Sequence, residues 1–336
     1  MKHTNKKKQI RIILFILSAI ILSIFIINQI TVVPFISIFR SLTGLAQTQG
    51  NPGPHEEAID TVEKLSRVSV SVDGYPDADV TFFAPKGNDK ILPVVIYIHG
   101  GGWSIGSASS VEWFAKLIAS NGYIVANVDY ALAPEYPYPT STVQLASVLD
   151  YVYENAGQYQ IDPTKIFIGG NSAGAHLASQ LGALATNEAY AKEARVTLKT
   201  PGDCIKGLLL FNGVYNFDTA GDCHFPFYKK LVWSYTGEKN YLQYDRLDEL
   251  SSIKHITKSY PATFITVGDA DPLKSETTAF IDELNAKGVD NNSLLWGGTG
   301  AGLHHDYIYE QQTEEAQKAL QMALTFMEEH IKDINP

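Results

Sequence analysis

The residues Gly170-Asn171-Ser172-Ala173-Gly174 fit G-x-S-x-G. An apolar run, Ile166–Ile168, ends just before them, and a helix-forming run, Ala175–Leu181, follows at once. A serine on such a strand-to-helix turn holds its hydroxyl clear of the sheet, where it can act as a nucleophile. The residues two before and two after it must be tiny, because strand and helix approach closely there. Taken alone, the pattern also describes a Gly-rich turn with a solvated serine. A second stretch bears on that choice. His99-Gly100-Gly101-Gly102-Trp103 follows the strand-like run Val94–Ile98 and exposes backbone N–H groups with no side chains in the way. Acyl transfer needs such donors where negative charge develops on a carbonyl oxygen. The amide of Ala173, directly after the serine, is a further donor. A phosphate cradle is the rival use of a glycine turn, but G-x-G-x-x-G and a Walker lysine are both absent.

A serine hydroxyl attacks poorly until a base takes its proton. On a strand–turn–helix nucleophile the partners follow in the order acid, then histidine. Thr266-Val-Gly-Asp269-Ala-Asp271-Pro-Leu273 closes an apolar run and offers two carboxylates. Asp271, placed before a proline that turns the chain, is the better orienting acid, and Asp269 is second. Either would also serve as a helix cap, the commoner work of a loop aspartate. The late histidines are His304, His305 and His330. His330 sits beside Glu328 and Glu329 in a helical run and reads as a solvated face. His305 is preferred as the base because His-x-aromatic suits the loop, with His304 the alternative. His99 and His176 are assigned structural roles.

These residues must be carried by a sheet. The alternating runs Val68–Val72 and Val80–Phe83, separated by Gly74–Asp77, read as an antiparallel hairpin. Beyond them the apolar runs are continuous (Val94–Ile98, Ile124–Val128, Ile166–Ile168, Leu208–Phe211, Phe264–Val267), as in strands buried on both faces, and Ser293–Trp296 reads as a last strand. Helical stretches fall between them at Val111–Asn121, Ser141–Ala156, Ala173–Thr186, Ser275–Lys287 and Thr313–Ile331. That alternation predicts a mostly parallel α/β sheet with its chemistry at the carboxyl ends of the strands. The segment from Gly213 to Tyr260 interrupts it with many aromatic residues, and reads as a cap walling an apolar pocket.

The chain has 336 residues and a net charge of −10. Every acidic residue lies at Glu56 or beyond, while Lys2, Lys6, Lys7, Lys8, Arg11 and Arg40 precede it. The main domain is thus strongly acidic, which argues against nucleic acid as a partner. Ile12–Ile27 is an apolar run, relieved only by Ser18, Ala19 and Ser23, behind a basic cluster and long enough to span a bilayer. The expected organisation is a cytoplasmic tail plus transmembrane anchor over 1–45, a linker over 46–65, and an extracytoplasmic domain over 66–333 at the cell membrane. Gly44-Leu45-Ala46 leaves a cleaved signal as the alternative. Cys204 and Cys223 would then meet an oxidising compartment, either bonded to each other or free.

His99-Gly-Gly-Gly-Trp103, Asp129-Tyr-Ala-Leu-Ala-Pro-Glu135, Gly170-Asn-Ser-Ala-Gly174 and Asp271-Pro-Leu273 occur in order at fitting distances. Together they resemble the α/β-hydrolase esterases similar to hormone-sensitive lipase, from about Val68 to Ile331. The resemblance implies an eight-stranded, mostly parallel sheet flanked by helices. It also implies Ser172 as nucleophile, His305 as base, Asp271 as orienting acid, and Gly101, Gly102 and Ala173 as oxyanion donors. The Asp129–Glu135 motif is given a structural role. Departures from the family pattern are Asn171 before the serine, Gly174-Ala175 after it, the doubled histidine, and an anchor and linker in place of amino-terminal cap helices. The function implied is hydrolysis of carboxylic esters through an acyl-enzyme, with neither metal nor organic cofactor; short acyl groups are expected because no long apolar groove is evident in the sequence. Amide, formamide or peptide hydrolysis on the same residues is the alternative, as is a catalytically silent surface protein.

Overall fold

The computed structural model describes residues 13–16, 18, 29–45 and 52–332. The strands are β1 (Val62–Val70), β2 (Ala78–Pro85), β3 (Leu92–Ile98), β4 (Ile124–Asp129), β5 (Ile161–Asn171), β6 (Ile205–Phe211), β7 (Thr263–Val267) and β8 (Asn291–Leu295). They form one sheet in the order β1-β2-β4-β3-β5-β6-β7-β8. β1 and β2 pair antiparallel, β2 meets β4 antiparallel, and every later pair is parallel. This is the eight-stranded, mostly parallel arrangement expected. β1 starts at Val62, inside the stretch read as linker, because the hairpin register extends from Val62 opposite Pro85 to Val70 opposite Ala78.

The continuous apolar runs explain the burial. Successive side chains of a strand face opposite sides of the sheet. On β5, Ile166 and Ile168 join one hydrophobic layer while Phe167 joins the other. The helices α3 (Thr140–Glu154), α4 (Ala173–Thr186) and α8 (Lys274–Lys287) cover the first face through Leu145, Leu177, Leu181 and Phe280. The opposite face is covered by α2 (Glu112–Ala119) and α9 (Glu314–Ile331) through Phe114, Leu117, Leu320 and Phe326. A short helix, α5 (Glu188–Ala194), has no counterpart in the sequence reading. Asn187 caps it through its side chain, accepting the Tyr190 amide at 3.1 Å.

The segment between β6 and β7 holds α6 (Tyr228–Thr236) and α7 (Leu247–Leu250). Most of its aromatic rings are core and not pocket wall: Tyr215, Phe217 and Tyr235 are fully buried. The amino-terminal region also departs from expectation. Helix α1 (Val33–Leu45) packs on this cap, with Phe35 and Phe39 at 5.3 and 5.5 Å from the ring of Phe227. A cap helix therefore stands where the sequence reading placed anchor. Among the described residues no helix is long and apolar enough to cross a membrane. The run Ile12–Ile27, apart from 13–16 and 18, lies outside the described residues. Cys204 and Cys223 are both free thiols.

Candidate active site

β5 ends at Asn171 and α4 begins at Ala173, so Ser172 occupies the turn alone. Its backbone lies at φ 53° and ψ −119°, a conformation that non-glycine residues hold only when their surroundings enforce it. The enforcement is visible: the Ser172 amide donates to the Phe211 carbonyl of β6 at 2.8 Å. A Cβ at Gly170 or Gly174 would overlap the Ile98 carbonyl of β3. The two glycines of the motif are thus required by backbone contact between strand and helix.

His305 and Asp271 reach the serine from loops after β8 and β7. His305 Nε2 lies 2.9 Å from Ser172 Oγ, and its Nδ1 lies 2.8 Å from Asp271 Oδ2. Since the carboxylate accepts, Nδ1 carries the proton and Nε2 is free to take one from the serine. Asp271 is buried. Burial opposes its charge, but donations from His305, from Asn212 Nδ2 at 2.7 Å and from the Leu273 amide at 2.8 Å outweigh that. They hold the carboxyl below its ordinary value of 3.8. For His305, burial pulls the imidazolium down, but the carboxylates of Asp306 and Asp271 prevail and raise it above 6.5. The edge of Phe225 packs on the ring at 4.7 Å, the one cap aromatic among the described residues in ring contact with His305.

The alternatives are placed elsewhere. His304 is exposed. Asp269 accepts the amides of Gly302 and Leu303 at 3.2 and 2.7 Å, so it anchors the loop that delivers His305. That is neither a helix cap nor contact with the imidazole.

The glycine turn lies beside the serine. Gly101 and Gly102 adopt φ of 113° and 55°, and Trp103 continues at 59°. Their conformation turns the chain so that the amides of Gly101 and Gly102 have no acceptor among the described residues. Ala173 opens α4, where a helix cannot satisfy its first N–H groups internally. Three polar links hold the turn. Asn171 Oδ1 accepts the Gly100 amide at 2.8 Å. Trp103 Nε1 donates to His176 Nδ1 at 3.1 Å, and His176 Nε2 then donates to the Leu250 carbonyl at 2.8 Å. That bonding needs a neutral imidazole, and full burial lowers its pKa to about 4. Arg40 of α1 donates to the Ser104 carbonyl at 2.7 Å. The Asp129–Glu135 motif is structural as expected: Asp129 accepts the Ala108 amide, the Ala133 amide donates to Trp103, and Glu135 pairs with Arg40.

Asn212, Arg40 and Asp306 escaped the sequence reading. Asn212 follows β6 at φ 56°, a conformation to which asparagine is suited, and that is the only local mark it carries.

The arrangement has known counterparts. Residues 95–305 match the family described as alpha/beta hydrolase fold. A putative alpha/beta hydrolase of Acanthamoeba polyphaga mimivirus is 28% identical over 69% of this chain and 66% of its own length. An esterase of Gibberella moniliformis is 28% identical over 73% of this chain and 82% of its own. Carboxylesterase NlhH of Mycobacterium tuberculosis is 37% identical, over 36% of this chain and 39% of that protein. Among solved structures, a bacterial heroin esterase superposes with a TM-score of 0.70 at 23% identity, covering 88% of this chain and 91% of that one. Esterase B of Lactobacillus rhamnosis gives 0.75 at 17%, covering 89% and 95%. These structural likenesses establish the fold. With the family match extending over most of the sheet and both loops of the site, the chain belongs to the α/β-hydrolase fold family.

Proposed function

We propose that this protein is a serine carboxylesterase, with Ser172 as nucleophile, His305 as general base and acid, and Asp271 as the orienting carboxylate. The observation that carries the reading is the unbroken polar chain Asp271 Oδ2–His305–Ser172 Oγ, at 2.8 and 2.9 Å, ending on a serine at φ 53°. Ser172 Oγ attacks the ester carbonyl carbon as its proton passes to His305 Nε2. The amides of Gly101, Gly102 and Ala173 receive the oxyanion. His305 then protonates the departing alcohol, leaving an acyl-enzyme. Water, deprotonated by the same nitrogen, releases the acid and restores the serine. The relatives named esterases support ester cleavage over amide cleavage. Short acyl groups are the expected substrates, because most of the aromatic side chains between β6 and β7 are packed in the core and do not line a long apolar groove.

We also propose that the domain is tethered outside the cell by the run Ile12–Ile27. Its length and the basic residues before it support this. So does the uncharged exposed face of α1, with Val33, Ile38 and Leu42 at 46% to 60% exposure. The full chain should sediment with membranes, whereas a chain begun at Gln29 should stay in the supernatant; equal partition of the two would dismiss the tether.

The test of activity is hydrolysis of p-nitrophenyl acetate, butyrate and decanoate by the chain from Gln29 onward. Ser172→Ala and His305→Ala should each lower kcat on the order of 10⁴-fold or more. A serine variant that turns over as fast as the parent would overturn the esterase reading. Equal rates on acetate and decanoate would remove the preference for short chains.

A further inference from the structure

The proposed mechanism leaves one charged side chain at the site without a task. Asp306 directly follows the base, at φ 61°. Its Oδ1 accepts from Asn171 Nδ2 at 3.0 Å, and Asn171 in turn holds the Gly100 amide. The carboxylate is thereby tied to both the nucleophile strand and the glycine turn. Its Oδ2 lies 3.8 Å from His305 Nε2, the nitrogen that meets Ser172. The Asp306 side chain is 32% exposed, and it opens into the cleft shared with Gly101, Ser107 and Ser110. Arg40 lines the same cleft, yet its guanidinium is taken up by Glu135 and by the carbonyls of Ser104 and Ala133. Among the described residues, the ion-pair partner of Asp306 is His305 alone. A fixed, partly exposed carboxylate thus stands beside the nitrogen that meets Ser172 and beside the glycine turn, with the titratable His305 as its ion-pair partner among the described residues.

We propose that Asp306 is a specificity residue, selecting esters that carry an ammonium group close to the scissile bond over neutral and anionic ones. This rests on the esterase reading. A cation in the cleft gains the attraction of Asp306 at short range, and the strongly acidic domain adds a weaker pull from further off. An acid-bearing ester meets repulsion at the same place.

Acetylthiocholine and 3,3-dimethylbutyl thioacetate test this. The two share the acetyl group and differ in a trimethylammonium against a tert-butyl group of the same shape. The wild-type chain should prefer the cationic thioester about three- to tenfold in kcat/KM, mostly through KM, as one partly exposed charge pair allows. The preference should shrink as salt is added. Asp306→Asn keeps a residue tolerant of positive φ and an acceptor for Asn171, and should bring the ratio to about one. Because both thioesters use the same base, the ratio cancels any effect of the substitution on His305. A wild-type ratio of one, or a preference that persists in Asp306→Asn, overturns the proposal. Should the variant fail to fold, wild-type protein suffices: tetramethylammonium chloride should raise KM for the neutral thioester relative to equal sodium chloride, with kcat unchanged, and no effect overturns the proposal. Failure of the underlying reading looks different, since neither thioester would then be cleaved, or Ser172→Ala would cleave both.

Discussion

Replacing Arg40 by Ala removes four hydrogen bonds at once. Nε donates to the Ser104 carbonyl and Nη2 to the Ala133 carbonyl, each at 2.7 Å, and the two Nη atoms grip Glu135 at 2.9 and 2.7 Å. The carbonyl bonds are partly buried with a charged donor, so each contributes about 1 kcal/mol after allowance for solvent. The ion pair is worth less, about 0.5 kcal/mol, because the side chains are 31% and 50% exposed. The expected cost is therefore about 2–3 kcal/mol, read as a lower urea midpoint at unchanged m for the chain from Gln29. Glu135→Ala should cost only the smaller part. Arg40→Lys should recover little, since a single ammonium cannot serve acceptors on two loops and a carboxylate together. Ser104 follows the glycine turn, so kcat for a neutral ester should fall as well, with KM less affected. Low pH adds a sign. The bond from Arg40 holds the Glu135 carboxyl below its ordinary 4.5. The pair's contribution is thus present above that value and disappears as pH falls through the lowered one, narrowing the gap between wild type and variant. A loss under about 0.5 kcal/mol in Arg40→Ala, or one matched by Glu135→Ala, would refute the claim that α1 latches the turn through its carbonyls.

Gly174→Ala should cost more than about 4 kcal/mol, because its Cβ would collide with Ile98 backbone, while Gly288→Ala, with open space but φ 67°, should cost about 1; thermal unfolding separates them. Asn212→Gly keeps the positive φ but removes a donor to Asp271, and should lower kcat about tenfold with KM little changed in steady-state ester assays. The acid limb of kcat/KM should lie above pH 6.5, because His305 must be neutral to act and its pKa is raised. Asp306→Asn should move that limb downward, and an unmoved limb would remove Asp306 from the electrostatics of the base. His176 is held neutral with a pKa of about 4, so the unfolded chain binds more protons between there and 6.5. Unfolding free energy should fall as pH drops through that interval, and His176→Gln should flatten the slope.

What the sequence made legible was local. Gly170 and Gly174 flank Ser172 within five consecutive residues, and the contact that demands them is built from the strand and helix they join. The buried strands announced themselves by unbroken apolar runs, since both faces of β3, β5 and β6 are covered. Asp271 could be chosen because it sits just beyond such a strand, β7, whereas His305 follows the more exposed β8 by a longer loop, at the edge where the serine also lies. Between His304 and His305 the sequence offered only a spacing preference. The structure separates them by exposure and by the 2.9 Å approach to Ser172.

What stayed hidden depends on partners far along the chain. Asn212 matters through Asp271, 59 residues later, and Arg40 through Ala133 and Glu135, 93 and 95 residues later. No periodicity encodes such pairings. Helix α1 shows how composition can mislead. Its residues Val33, Ile36, Phe39 and Leu42 continue an apolar run, and apolar residues serve equally for lipid and for a protein core. Only Arg40, a charge within that run, argued against a uniform membrane segment. Its value lies in three acceptors supplied by two separate loops, which exist only once the sheet has formed. The glycine turn therefore takes one of its supports from a helix outside the family match of residues 95–305. Shortening the amino terminus to reach a soluble domain should, for that reason, stop at Gln29 and not at Glu57.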